Sequence, residues 1–234
     1  MTQDNGDGTD SLRLAIVDVA LPGSSGFAVE VHVNGTEMTS PRGGLGMDPY
    51  DLLIPANMLL ATPVPRSVQI ARCKCGDNGC AWINVTITRD GGVVRWEWAS
   101  GTPKTFSFAA ERYDAEVDRA ADDHSWETAE RTVGRLVLSH VDRDALGSHG
   151  LAVDWAGNNL YHPDQFCVAL RLGNDYQIFV DVPWRDRGSE ELATDVCETL
   201  ARGPEEWRAR WSAIRPANQE PPQIASASWR REPL

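Results

Sequence analysis

Lysine is almost missing from this chain. Lys74 and Lys104 are the only two, so 20 of its 22 basic residues are arginine. Together with the many alanines and glycines, that bias reads as high-GC codon usage and carries no functional weight. Basic charge is scarce overall: 34 acidic residues against 22 basic ones leave a formal net charge of −12. Such a field repels a nucleic-acid backbone and favours a basic protein partner. No apolar run approaches the eighteen or so residues that a membrane-spanning helix needs, and the opening MTQDNGDGTD is acidic and polar, unlike a secretory signal. The expectation is a cytoplasmic protein that binds neither nucleic acid nor membrane. The HExxH, GxSxG, Walker and EF-hand patterns are missing too, and PRGGLG (41–46) lacks the Lys-Ser/Thr of a phosphate loop and reads as surface loop. His162-Pro163-Asp164 matches the tripeptide of J-domain co-chaperones, but its strand-like surroundings contradict that helical hairpin.

What is present suffices for a packed interior: 234 residues, 41% of them hydrophobic. Residues 1–10 are polar and acidic and read as a disordered leader. LRLAIVDVAL (12–21) is a near-continuous apolar run, predicting a strand buried on both faces. FAVEVHVNG (27–35) alternates with period two and ends in an Asn-Gly turn, which places His32 on the polar side. Asp48-Pro49 predicts a short helix, with the aspartate as cap and the proline at the first helical position. Strands follow on either side of residues 75–80, with a hairpin about Asp90-Gly91-Gly92 and a strand at 105–108. Val94, Trp96 and Trp98 share one strand face, as core or as a stacking platform. Helical spacing over 109–123 and 125–141 predicts two helices, the second capped by Ser125 or Thr128. Strands over 151–157 and 165–184 precede two further helices, SEELATDVCETLARG and PEEWRARWSAI, and the proline-rich 214–234 reads as an extended tail. The fold class expected is α+β: an antiparallel, meander-rich sheet with helices packed on it and a single core over 11–213, with a sub-boundary near 122–128.

Three of the five cysteines lie within CKCGDNGC (73–80). In a reducing compartment such clustering points to metal or redox chemistry rather than structural disulfides. With GDNG as a four-residue turn, Cys75 lies opposite Cys80, and Cys73 lies on the same face. Opposed Cβ atoms are roughly 4.5–5.5 Å apart, and tetrahedral zinc with bonds of about 2.3 Å needs sulfurs under roughly 4 Å apart. Cys73, Cys75 and Cys80 are therefore candidate zinc ligands. A fourth is to come from His124, His162, Cys167, Cys197 or water, and water would make an open, catalysis-competent site. Reduced thiols without metal, or a reversible Cys75–Cys80 disulfide, are the competing readings. Cys167 and Cys197 otherwise read as small buried apolar residues. DDHSWE (122–127) sets carboxylates beside a histidine and a serine, as a catalytic site can, yet a helix start accounts for Ser125 and Glu127. The Asn34 and Asn84 Asn-x-Thr triplets match glycosylation acceptors, which mean little in that compartment.

PYDLL, VPRSVQIARCKCGDNGCAWINVTI, VVRWEW, FSFAAERYDAEV and DHSWET, which fall within 49–128, resemble uncharacterised proteins of actinobacterial type that share a CxCGxxGC turn. The resemblance implies that the cysteine turn is a recurring module; it brings no activity, cofactor or site residue. The leading expectation is a non-catalytic binding or regulatory protein, immunity- or inhibitor-like, with the cysteine turn as a structural knuckle for zinc. A zinc-dependent enzyme with an open three-cysteine site and a thiol-redox sensor are the alternatives.

Overall fold

The computed structural model describes residues 8–21, 24–41, 44–74, 82–98, 103–159, 161–215, 218 and 220–232. The chain divides into two compact units, Met1–Trp126 and Glu127–Leu234. Among the described residues the fold is α+β, with predominantly antiparallel sheets.

In the first unit, β1 (Leu12–Leu21) pairs along its length with β2 (Ser24–Val33), and β3 (Thr36–Glu37) returns beside β2. The Asn34-Gly35 link has φ of 52° and 75°, the left-handed pair that a two-residue hairpin turn requires. The predicted alternation of β2 holds: Val29, Val31 and Val33 are buried and His32 is half-buried. The prediction for β1 fails. Leu14 is buried, but Arg13 and Asp18 are exposed and most of the remaining strand is half-buried; β1 is also the edge of this three-stranded sheet. Two side chains of the later helix satisfy that edge. Glu116 accepts from the Leu14 amide (2.6 Å) and Arg119 donates to the Leu14 carbonyl (2.6 Å), occupying polar groups that an edge otherwise offers to another chain.

Gly44 and Gly46 of PRGGLG serve close approach. Gly44–Gly46 form β4, an edge strand on β5 (Arg66–Cys73), rather than surface loop. A Cβ on Gly46 would lie 2.1 Å from the Val29 carbonyl oxygen, and one on Gly44 would lie 2.2 Å from that of Thr39. Immediately after β4, Met47 accepts from the Val29 amide (2.9 Å) and donates to the Ile70 carbonyl (3.2 Å), joining the two sheets of this unit. The predicted helix follows as α1 (Pro49–Leu52), with the Asp48 side chain accepting from the Tyr50 amide.

Next, β5, β6 (Trp82–Asp90), β7 (Val93–Trp98) and β8 (Lys104–Ala109) run as an antiparallel meander. Val94, Trp96 and Trp98 line the core as one face. Trp96 is fully buried against Phe108 and Tyr113, and its Nε1 donates to the Tyr113 hydroxyl (3.2 Å), which donates to the Leu59 carbonyl (2.7 Å). Burial and that chain of hydrogen bonds make Trp96 a core residue, and Trp98 is buried as well. Tyr113, Val117 and Ala120 bury one stripe of α2 (Ala110–Asp122). At the other end, Asp10 lies within the span expected to be a disordered leader, yet it accepts from the Ser107 amide (2.6 Å) and from Asn34 Nδ2 (2.7 Å).

The second unit begins with α3 (Ala129–His140), capped by the Thr128 hydroxyl, and α4 (Arg143–Ser148), capped by Asp142. Then β9 (Leu151–Asn158), β10 (Gln165–Leu172) and β11 (Tyr176–Pro183) form a meander, followed by α5 (Ser189–Leu200). PEEWRARWSAI is not a helix. Only Pro204–Glu206 turn helically, and Ala209–Ala213 form β12 against β11. Trp207, Ala209, Trp211 and Ala213 alternate with Arg208, Arg210 and Ser212; a spacing of four between tryptophans fits both a period of two and one of 3.6, which is why the helical reading arose. Part of the 214–234 stretch also docks: Arg230–Arg231 form β13, parallel to β12, and Trp229 is buried. Helices α3 and α5 contact each other as well as β9 and β11, and the sheet residues Phe166, Val168, Leu170, Ile178, Val180 and Val182 are all buried on one face.

Candidate functional site

Cys75 and Cys80, the heart of the sequence-predicted metal site, lie outside the described residues. Cys73 ends β5, half-buried and opposite Gly44. The described ladder sets Arg72 opposite Trp82 and Ala71 opposite Ile83, after a register shift between Gln69 and Ala71. The pairing that sets Cys75 against Cys80 would instead place Cys73 opposite Trp82, one residue out of step. Of the proposed fourth ligands, His124 is exposed in the turn after α2. His162, Cys167 and Cys197 belong to the second unit. Among the described residues no three His, Cys, Asp or Glu side chains converge as a metal-binding group.

DDHSWE forms a turn held by its own groups. Asp123 Oδ1 accepts from the Ser125 amide (3.0 Å) and hydroxyl (2.6 Å), and those bonds hold the Asp123 carboxyl below its usual range. Glu127 is ion-paired to Arg135 at 2.7 Å with its side chain 2% exposed. Ser125 and Glu127 are therefore engaged in structure.

The denser chemistry lies on the sheet of the second unit, on the face opposite Val168, Val180 and their neighbours. Register places Trp155, Ala169, Phe179, Arg210 and Arg230 side by side, one from each of the five strands. The Trp155 and Phe179 ring centroids are 6.2 Å apart across the small Ala169, and the Arg210 guanidinium carbon sits 5.2 Å from the Phe179 centroid. Trp155 is 41% exposed. A register shift in β10 between Ala169 and Leu170 leaves Asp154 as the extra residue of a β-bulge in β9. The bulge lets Asp154 share the face of Trp155, where it accepts from Arg171 (3.1 Å) and Gln177 (2.7 Å).

Behind this row runs a polar network. Arg210 grips Asp181 through two hydrogen bonds, Nε to Oδ2 at 2.8 Å and Nη2 to Oδ1 at 3.0 Å, while its Nη1 donates to Glu232. Asn159, buried at the end of β9, adds a bond to Asp181 Oδ1 at 3.1 Å. Burial alone would raise the Asp181 carboxyl, but the bonds from Arg210 and Asn159 outweigh it and hold the group below its usual range. Burial pushes the neighbouring Cys167 thiol well above its usual range, and the Asp181 charge adds to the rise, so this cysteine stays a protonated core residue. Cys197, half-buried on α5, is also raised by burial. This network and the row above it were not foreseen, since Arg210 was expected on a helix; the strict alternation of Trp207–Ala213 is the signal that locates them.

No protein-family model matches the chain, and no curated protein or solved structure matches it.

Proposed function

We propose that the chain is a non-catalytic binding or regulatory protein, immunity- or inhibitor-like, which engages a basic protein through the Trp155 end of this sheet face. The observation that carries the reading is the stack of Trp155, Phe179 and Arg210, with Asp154 turned onto the same face. Tryptophan and arginine dominate the few residues that supply most binding energy at protein interfaces. A rigid sheet holds them in place before a partner arrives, which lowers the ordering cost of association. The net charge of −12 supports a basic partner by long-range attraction. The turn at residues 73–80 serves in this reading as a structural knuckle for zinc.

The test compares native-lysate captures with the wild-type chain and with Trp155→Ala as baits, at two salt concentrations. The expected result is a basic protein retained by the wild type at low salt, diminished at high salt and lost from the variant. Recovery of no basic partner above background, or equal retention by both baits, overturns the reading.

A further inference from the structure

Arginine collects where the chain re-enters the sheet. After residue 207 come Arg208, Arg210, Arg215, Arg230 and Arg231, against two acidic residues, Glu220 and Glu232. This reverses the balance of a chain whose net charge is −12. Arg208 and Arg210 are two apart and so project to one side of the β12 segment, and Arg230 is the in-register neighbour of Arg210 on β13. Together with Ala209, Ala227 and Ser228 they line an open groove of about 570 Å³.

The three guanidinium groups are not equivalent. Arg210 is committed to Asp181 and Glu232 and forms a fixed wall. Arg208 and Arg230 are exposed and have no ion pair or hydrogen bond among the described residues. Like charges on adjacent strand positions repel, so two unpaired guanidiniums flanking a neutralised third favour a doubly charged counter-ion between them. A phosphate monoester carries about −1.5 to −2 charges at pH 7 and accepts the paired N–H bonds that guanidinium offers.

We infer that the Arg208–Arg210–Arg230 groove binds a phosphate monoester, with Arg208 and Arg230 as its direct ligands. The open groove, of about 570 Å³, leaves room for the group that bears the phosphate. The site shares Arg210 with the row that runs to Trp155 but takes its direct ligands, Arg208 and Arg230, from the β12–β13 side of the sheet, and it holds whether or not a protein docks at Trp155.

The experiment titrates the intact chain with inorganic phosphate at constant ionic strength and follows the emission of the neighbouring Trp207, Trp211 and Trp229. The wild type is expected to saturate, as is Arg215→Gln, which alters an arginine outside the groove. The double variant Arg208→Gln/Arg230→Gln, with unchanged circular dichroism, is expected to bind at least about tenfold more weakly. Glycerol phosphate and a phosphoserine peptide then separate the two sources of the group: tighter binding of the first assigns a small metabolite, tighter binding of the second a phosphorylated protein. Lack of saturation below about 10 mM phosphate, or a double variant that binds like the wild type, overturns the inference.

Discussion

The indole planes of Trp207 and Trp229 lie 3° from parallel, with centroids 6.3 Å apart. Both rings are buried, and each donates its N–H to a backbone carbonyl, Trp207 to Arg202 (3.1 Å) and Trp229 to Pro204 (3.2 Å). Ser228 adds a bond to the Trp207 carbonyl (2.8 Å). This clasp holds β13 in the sheet and thereby places Arg230 in the groove and Glu232 against Arg210.

Trp229→Ala should therefore do more than leave a hole. Removal of a buried tryptophan side chain costs about 3 kcal/mol, and with the clasp gone the segment after Arg215 should become accessible to trypsin. Urea unfolding and timed proteolysis read the two effects separately. A loss below about 1 kcal/mol with unchanged cleavage would show that the final segment is held by something else.

Asp181 sets an acid limit on the second unit. Its carboxyl is held below the unfolded value of about 3.9, so it binds a proton less readily folded than unfolded. The stability from this shift is complete above about pH 4 and is lost as pH falls through the depressed folded value. Asp181→Asn keeps the shape, removes the charge facing Arg210, and should lower stability at neutral pH by about 2 kcal/mol. It should also flatten the decline in stability below about pH 4. Urea midpoints measured from pH 7 down to pH 2 give both numbers, and parallel curves for the two proteins would refute the assignment.

Much of the fold was legible where local chemistry and burial agree. Asn34-Gly35 and Asp90-Gly91-Gly92 specify hairpins through backbone freedom alone, Asp48-Pro49 specifies a helix start, and the Val94-Trp96-Trp98 stripe names its own core face. Two of the failures share a cause: a partner distant in sequence decided the outcome. The apolar run of β1 could not show that it lies at an edge, because its neighbours Glu116 and Arg119 are a hundred residues away. Arg210 could not be assigned to a network whose other members are Asp181 and Glu232. Of the candidate site, the arginine groove was not legible, since it exists only once β13 pairs with β12.

Gly46 tests the close-approach account of PRGGLG. A methyl group there would collide with the Val29 carbonyl at 2.1 Å, and the hydrogen bond from the Val29 amide to Met47 leaves the backbone little room to yield. Gly46→Ala should cost about 2–4 kcal/mol. Gly92→Ala, where nothing lies within 4 Å of the added atom, is the matched control, and its change should stay within about 0.5 kcal/mol. Equal effects of the two substitutions in urea would return Gly46 to the role of a plain loop residue.

The metal question turns on Cys73, Cys75 and Cys80, proposed as zinc ligands from their C-x-C-x4-C spacing. Freshly reduced protein should carry about one equivalent of zinc, and Cys75→Ser should lose most of it. If the site is a structural knuckle, a chelator should release the zinc together with cooperative unfolding of the first unit, because binding free energy is then folding free energy. Zinc that leaves with the fold intact would favour the open, enzyme-like site, since such a site keeps a position for water. Metal-free reduced protein in which Cys75 and Cys80 oxidise reversibly would replace both zinc readings with thiol-redox chemistry. Elemental analysis, chelator titration followed by far-UV circular dichroism, and thiol counting under a glutathione gradient distinguish the three on the same preparation.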